Sequence, residues 1–207
     1  MWSVAPSSDA APLLAASSTS KEASTASSAF NVLEVVPMNE QARVKTVPFY
    51  SQFNDISAPE WKKVGCGITS LAMLINYYQP NEVTVDGLLK QGIAAGAYIS
   101  DAGWSHAGLI GLAQKHGLTG ESRSLADLSM ENAFAALESE VADGPVMVSV
   151  HYMFEPTNPI PHLVVVNAVN DGLVYYNDPA EPSGNGAISI SKFKSAWKKR
   201  YINIHPA

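Results

Sequence analysis

Apolar positions recur along this chain with two different spacings, and the change from one to the other divides it. From 66 to 78 they fall at Ile68, Leu71, Ala72, Leu74, Ile75 and Tyr78, a helical spacing that Pro80 stops. Thr84 is placed to cap a helix over 85–92, and Ser105 one running to Lys115 with Gly117 as its stop. Ser129 is placed to cap 130–142, where Phe134, Leu137 and Val141 repeat three and four apart. After Pro145 the pattern turns to strands, expected at 145–152, 162–169, 173–178 and 187–190, with an earlier one at 44–49. A last helix is expected over 191–200, its Phe193 and Trp197 facing the core. Helices grouped before strands define an α+β fold rather than alternating βαβ units. No internal repeat is visible.

The first 30 residues stand apart. Nine Ser and eight Ala occupy 17 of them, without periodicity, so residues 1–43 read as a flexible tether or pro-segment, with a short extended piece at 31–36. Packed structure is expected from Val44, and about 160 residues suffice for a single core. The 207 residues carry 13 Lys and Arg against 19 Asp and Glu, a net charge of −6. That balance disfavours a nucleic-acid partner, which calls for a basic face. No apolar run reaches the roughly 20 residues of a membrane span, and no signal peptide is visible. The Ser/Ala/Thr-rich start suits a secreted or envelope-anchored bacterial protein; the oligomeric state leaves no trace in the sequence.

Cys66 is the single cysteine, so no internal disulfide forms and any thiol chemistry is its own. It lies between Gly65 and Gly67 at the start of the strongest helix, where the helix dipole and unpaired amides favour thiolate. Position alone leaves it open between a reactive thiol and an inert buried small hydrophobe. His162 adds weight to the first reading. It opens Leu163-Val164-Val165-Val166, a strand expected to be buried on both faces, which leads to the turn Asn170-Asp171-Gly172. Asp178 follows the next strand. His162 and Asp178 are equidistant from Asn170, so they fall near-opposite at the open end of one hairpin, on the same face. A carboxylate beside a histidine beside a thiol is a nucleophile, base and orienter. The Cys66 amide and the Gln52 side chain, in the polar loop Tyr50-Ser51-Gln52-Phe53, are the candidate oxyanion donors.

The segments Val47-Pro48-Phe49-Tyr50-Ser51-Gln52, Trp61, Gly65-Cys66-Gly67-Ile68-Thr69-Ser70-Leu71-Ala72-Met73, His162-Leu163-Val164-Val165-Val166 and Asn177-Asp178-Pro179 resemble the cysteine peptidases related to bacteriocin-leader-processing peptidases, within the papain-like superfamily. The likeness covers roughly residues 46–205. It implies a papain-like fold, a helical half packed on an antiparallel sheet. It assigns Cys66 as nucleophile, His162 as base, Asp178 as orienter and Gln52 to the oxyanion hole. The family usually has Pro two residues after the cysteine and Gly before the histidine, where this chain has Ile68 and Pro161. Pro161 fixes its own φ and restricts Ile160, and is expected to narrow the cleft. Without a membrane span or a phosphate-binding loop, transporter-coupled leader cleavage is not expected.

The expected function is thiol-dependent hydrolysis of a peptide or amide bond in a peptide or protein substrate. The same four residues would serve a transpeptidase or amidase with an amine acceptor, and a cleft closed by Pro161 would leave a silent binding module. No cofactor is called for. His106, His116, His151 and His162 lack metal-site spacing, so no metal is expected. His151 is the backup base, and Trp104 reads as core or cleft wall. The basic stretch around Lys192, Lys194, Lys198, Lys199 and Arg200 reads as the solvated face of the terminal helix.

Overall fold

The structure, a computed structural model, describes residues 46–100 and 103–207. The expected tether at 1–43 and the extended piece at 31–36 lie outside the described residues.

A 3-10 helix over Pro59–Val64 leads into α1 (Cys66–Tyr78), α2 (Val85–Ala94), β1 (Tyr98–Ile99), β2 (Gly103–Trp104) and α3 (His106–Gln114). The three predicted caps form: the Thr84, Ser105 and Ser129 side chains accept from Gly87 N–H (3.1 Å), Gly108 N–H (3.0 Å) and Asn132 N–H (3.2 Å). Helix α1 is buried continuously from Gly67 to Asn76, its Ser70 hydroxyl donating to the Leu163 carbonyl (3.2 Å) and its Asn76 amide to the Val83 carbonyl (2.8 Å). Beyond β3 (Leu118–Ser124) come α4 (Met130–Asp143), β4 (Val146–His151), β5 (Pro161–Asn170), β6 (Leu173–Asn177), β7 (Gly186–Ser189), α5 (Ile190–Ala196) and β8 (Trp197–Pro206). Among the described residues no helix is long and apolar enough to cross a membrane.

Six strands make one antiparallel sheet in the order β3-β8-β4-β5-β6-β7. The valine run of β5 is buried on both faces, as its lack of alternation predicts. Leu163 and Val165 join the core that holds α1, and Val164 and Val166 join the core that holds Phe134 of α4 and Phe193 of α5. Two cores thus grip one strand, at about 1.5–3 kcal/mol for each buried side chain.

The β5–β6 register decides where the site residues face. Asp171 (φ 51°) and Gly172 (φ 77°) form the two-residue turn, pairing Asn170 with Leu173, Val169 with Val174 and Ala168 with Tyr175. Continued unbroken, that ladder would set Asp178 opposite Val165, on the other face from His162. A bulge at Asn167 intervenes, and beyond it Val166 pairs Tyr176 and Val165 pairs Asn177. Asp178 then falls opposite Val164, two residues from His162 and on its face.

Three expectations are corrected. Residues 46–50 form no strand; Pro48 has no N–H to give a ladder, and the Val47 and Pro48 carbonyls instead accept from the Asn177 amide at 3.4 and 3.5 Å. The terminal helix ends at Ala196, and Trp197 already has extended geometry (φ −77°, ψ 130°), because Trp197, Tyr201, Ile202 and Ile204 are buried as members of β8. Phe193 and Trp197 still meet across that break, stacked at 5.9 Å. Finally, the polar segment Leu118–Ser124 is the edge strand β3, whose exposed outer half shows no apolar alternation to betray it.

Candidate active site

The cleft opens where α1 begins. Gly65 offers no side-chain cap, so the first amides of α1, that of Cys66 included, have no intrahelical acceptor. The helix start is fixed from outside: Trp104 donates from Nε1 to the Val64 carbonyl at 2.7 Å. A Cβ on Gly67 would lie 3.0 Å from the Trp104 ring, so the glycine permits that close approach.

His162 Nε2 lies 2.6 Å from Asp178 Oδ1, and both side chains are buried. That oxygen also accepts from Ala180 N–H at 2.8 Å, which fixes the carboxylate. Burial opposes a charged imidazole, but the bonds to Asp178 and to Cys66, with the charges of both, raise its pKa from 6.5 to about 10. Burial likewise pushes the Cys66 thiol up. Its hydrogen bond to His162, the imidazolium charge, and bonds to the Leu163 and Gly67 backbone outweigh that, and the net shift is downward from 9.0. The geometry therefore favours a thiolate–imidazolium pair. With Nε2 taken by Asp178, Nδ1 is the ring nitrogen left for the sulfur.

Gln52 is buried, held by its own N–H on the Pro179 carbonyl (2.8 Å) and by Nε2 on the Lys62 carbonyl (2.8 Å). The carbonyl acceptor dictates which end of the amide is nitrogen. One Nε2 hydrogen remains for a second acceptor. The loop to Pro179 ties this donor to the segment that carries Asp178.

One site residue escaped the sequence. Tyr152 stands edge-on to His162, ring centroids 5.1 Å apart at 89°. It begins a short turn in which Met153 (φ 60°) and Phe154 (φ 52°) both adopt left-handed backbone, unusual for two successive non-glycine residues. Phe154 anchors that turn in the core beside Tyr176, 4.7 Å between rings. The single sequence signal is an aromatic at the last position of the strand expected at 145–152.

The remaining candidates lie elsewhere. His151, the backup base, gives its Nδ1 to the Asn158 carbonyl (2.7 Å) and orders the β4–β5 loop. His106 bonds Ser122 and His116 bonds Glu82, each in its own surroundings. Trp104 is a core residue, 6% exposed. Ile68 is fully buried and packs toward Gly92 of α2, away from the cleft. Pro161 opens β5, where a strand tolerates proline, and stands in the cleft wall without closing it. The cleft has a volume of about 500 Å³ and is walled by Phe53, Val64, Tyr98, Tyr152 and Ile160, with Cys66 and His162 at its floor.

A helical half opening on a cysteine, set against an antiparallel sheet carrying a His–Asp pair, is the arrangement of a papain-like cysteine peptidase. Comparison with known proteins narrows the class. The chain belongs to the Peptidase_C39 like family, whose sequence model matches residues 44–206. Among solved structures it is similar to a double glycine motif protease from an AMS/PCAT transporter in complex with the leader peptide, at 23% identity and TM-score 0.55 over 79% of this chain and 94% of that one. A C39-like peptidase from Bacillus anthracis matches at 21% identity and TM-score 0.56, covering 79% and 96%. The peptidase domain of Streptococcus ComA, a bifunctional ABC transporter of a quorum-sensing pathway, matches at 18% and 0.51, covering 70% and 93%. No curated protein matches.

Proposed function

We propose that this peptidase cleaves peptide bonds through an acyl-enzyme on Cys66. The observation that carries the assignment is the buried His162–Asp178 bond beside a thiol whose pKa is lowered. The Cys66 thiolate attacks the scissile carbonyl carbon, and the oxyanion that forms meets the Cys66 amide and Gln52 Nε2. His162 gives its proton to the leaving amine, which departs as the thioester forms. Neutral His162 then takes a proton from water as it attacks the thioester, and the thiol leaves as thiolate with the acid product. Asp178 keeps the ring oriented and stabilises its charged form. Peptide substrates also fit the leader peptide bound by one structural relative. The Ser/Ala/Thr-rich segment at 1–30 supports a reading in which the peptidase acts at the envelope or beyond.

The test is alkylation by iodoacetamide against pH, run beside hydrolysis of a quenched peptide library. Wild type should be alkylated rapidly well below pH 8.5, and His162→Ala should lose both that reactivity and hydrolysis. A thiol that titrates normally and ignores His162 refutes the assignment. Product formed mainly with an added amine would make the acceptor an amine instead of water.

A further inference from the structure

The cleft walls carry information about substrate that the reacting groups do not. On the helical side Tyr98 is locked in an aromatic trio, 5.0 Å from Trp61 and 5.3 Å from Trp104. On the sheet side Tyr152 is locked against His162. Between these fixed walls Phe53 (38% exposed) and Ile160 (54% exposed) turn large apolar surfaces outward. Such residues, gathered at one concavity, mark a place where an apolar group is meant to dock. A cleft of about 500 Å³ with rigid walls is far larger than a glycine needs.

Lys63 lines the same cleft and is the single charged side chain in its described lining outside the Cys66–His162 pair. Its neighbour Lys62 is committed, with Nζ on the Phe53 carbonyl at 2.7 Å. Lys63 has no ion pair or hydrogen bond among the described residues. Among the described residues no carboxylate lines the cleft; Asp178 is 3% exposed and bonded to His162. In a chain of net charge −6, a cation in the lining of the cleft that holds Cys66 is a local reversal of sign among the described residues.

We propose that the cleft selects peptides which set a bulky apolar side chain within two residues of the scissile bond and a carboxylate-bearing residue beside it, the apolar group packing on Phe53, Tyr98 and Ile160 and the carboxylate meeting Lys63. The proposal rests on the peptidase reading of the same site. The apolar contact discriminates in the range of tenfold or more, because several methylenes leave water against preformed walls. The charge contact is smaller, about threefold, because the lysine is exposed and screened by salt.

The experiment uses internally quenched peptides in which each of the four positions around the cleaved bond is Gly, Leu or Phe, combined with Glu, Gln or Lys at its neighbour. Values of kcat/KM should favour Leu or Phe over Gly by at least about tenfold and Glu over Gln by about threefold, the latter shrinking at high salt. Lys63→Glu should invert the order to Lys over Glu while leaving the apolar preference in place. Best cleavage of a Gly-Gly peptide, or a charge order unchanged in Lys63→Glu, overturns the proposal. Fluorescence anisotropy of the same peptides bound to Cys66→Ser keeps the two readings apart. A binding preference in that order without any cleavage by wild type would sink the peptidase reading alone, and cleavage without the preference would sink this one alone.

Discussion

Gly65, one residue before the cysteine, is the position where a single methyl group should do the most measurable damage. A Cβ built there lies 2.3 Å from Cδ1 of Ile56, 3.2 Å from the Trp61 carbonyl oxygen and 3.3 Å from Cβ of Gln52. Carbon atoms pack at about 3.5–4.0 Å, so the last two contacts need only a few tenths of an ångström. The first needs more than an ångström from the tip of Ile56, a side chain that is fully buried. Backbone geometry is not the obstacle, since Gly65 has φ −78° and ψ −4°, open to any residue. Gly65→Ala should therefore act through overpacking alone, destabilising by about 1–3 kcal/mol. Ile56→Val deletes the one atom in the way and by itself should cost about 0.5–1.5 kcal/mol. In the double variant the clash is gone, so its loss should be smaller than the sum of the two by about 1–2 kcal/mol. Urea unfolding of the four proteins, read at equal m-values, measures this coupling. Hydrolysis should follow the same order, because the methyl also pushes on Gln52. Strictly additive losses, or a neutral Gly65→Ala, would show that the junction before Cys66 is slack and that the Gln52 donor is not held by packing.

Hydrolysis and alkylation should part company at high pH. Alkylation needs only the thiolate, which forms as pH rises through the lowered Cys66 value and persists above it, whereas hydrolysis also needs the imidazolium and should fall near pH 10. Both activities falling together at high pH would contradict the ion pair. The stability contributions run in opposite senses: the raised His162 pKa contributes stability fully below 6.5 and loses it as pH rises through about 10, while the lowered Cys66 pKa contributes above 9.0 and loses it as pH falls through the folded value; unfolding followed against pH checks both limbs. Tyr152→Phe keeps the ring against His162 and should stay within about twofold of wild type. Tyr152→Ala should lose about 2- to 12-fold in kcat with the alkaline limb moved down, the equivalent of one edge-to-face contact; an unshifted limb would make the ring a mere wall. Deleting Asn167 makes Val166 and Ala168 successive residues opposite Tyr176 and Tyr175, so His162 and Asp178 keep their shared face and hydrolysis should survive in a protein that still unfolds cooperatively; hydrolysis lost with folding intact would disprove the register argument.

How far the site could be read from the sequence follows from the range of each interaction. The helices were legible because their signals are local: Thr84, Ser105 and Ser129 each cap within three residues, and the apolar run of α1 needs no partner to be recognised. The strand Leu163–Val166 was legible for the same reason. The shared face of His162 and Asp178 was reached by a symmetry about Asn170 that the hairpin does not have. The true turn is centred between Asp171 and Gly172, which alone would separate the two residues, and the bulge at Asn167 brings them back. Two offsets cancel, and the second is set by how β5 meets β4 and β6 together, which no hairpin rule contains. Tyr152 and the Gln52–Lys62 bond leave no such trace, since each joins residues ten positions apart across irregular backbone, a span that neither helical nor strand spacing covers. Strand β8 failed differently. Phe193 and Trp197 keep helical spacing, and the stack that helical spacing promises survives at 5.9 Å although the helix has already ended. The buried positions Tyr201, Ile202 and Ile204 come only after a left-handed Lys199 (φ 52°), so an interior strand of the sheet is entered through residues that individually favour a helix. What the sequence leaves hidden here is thus not which side chains could meet in one cleft, but the irregular backbone, the bulge at Asn167 and the left-handed residues at Met153–Phe154 and Asp171–Gly172, that lets a regular sheet bring them to the end of one helix.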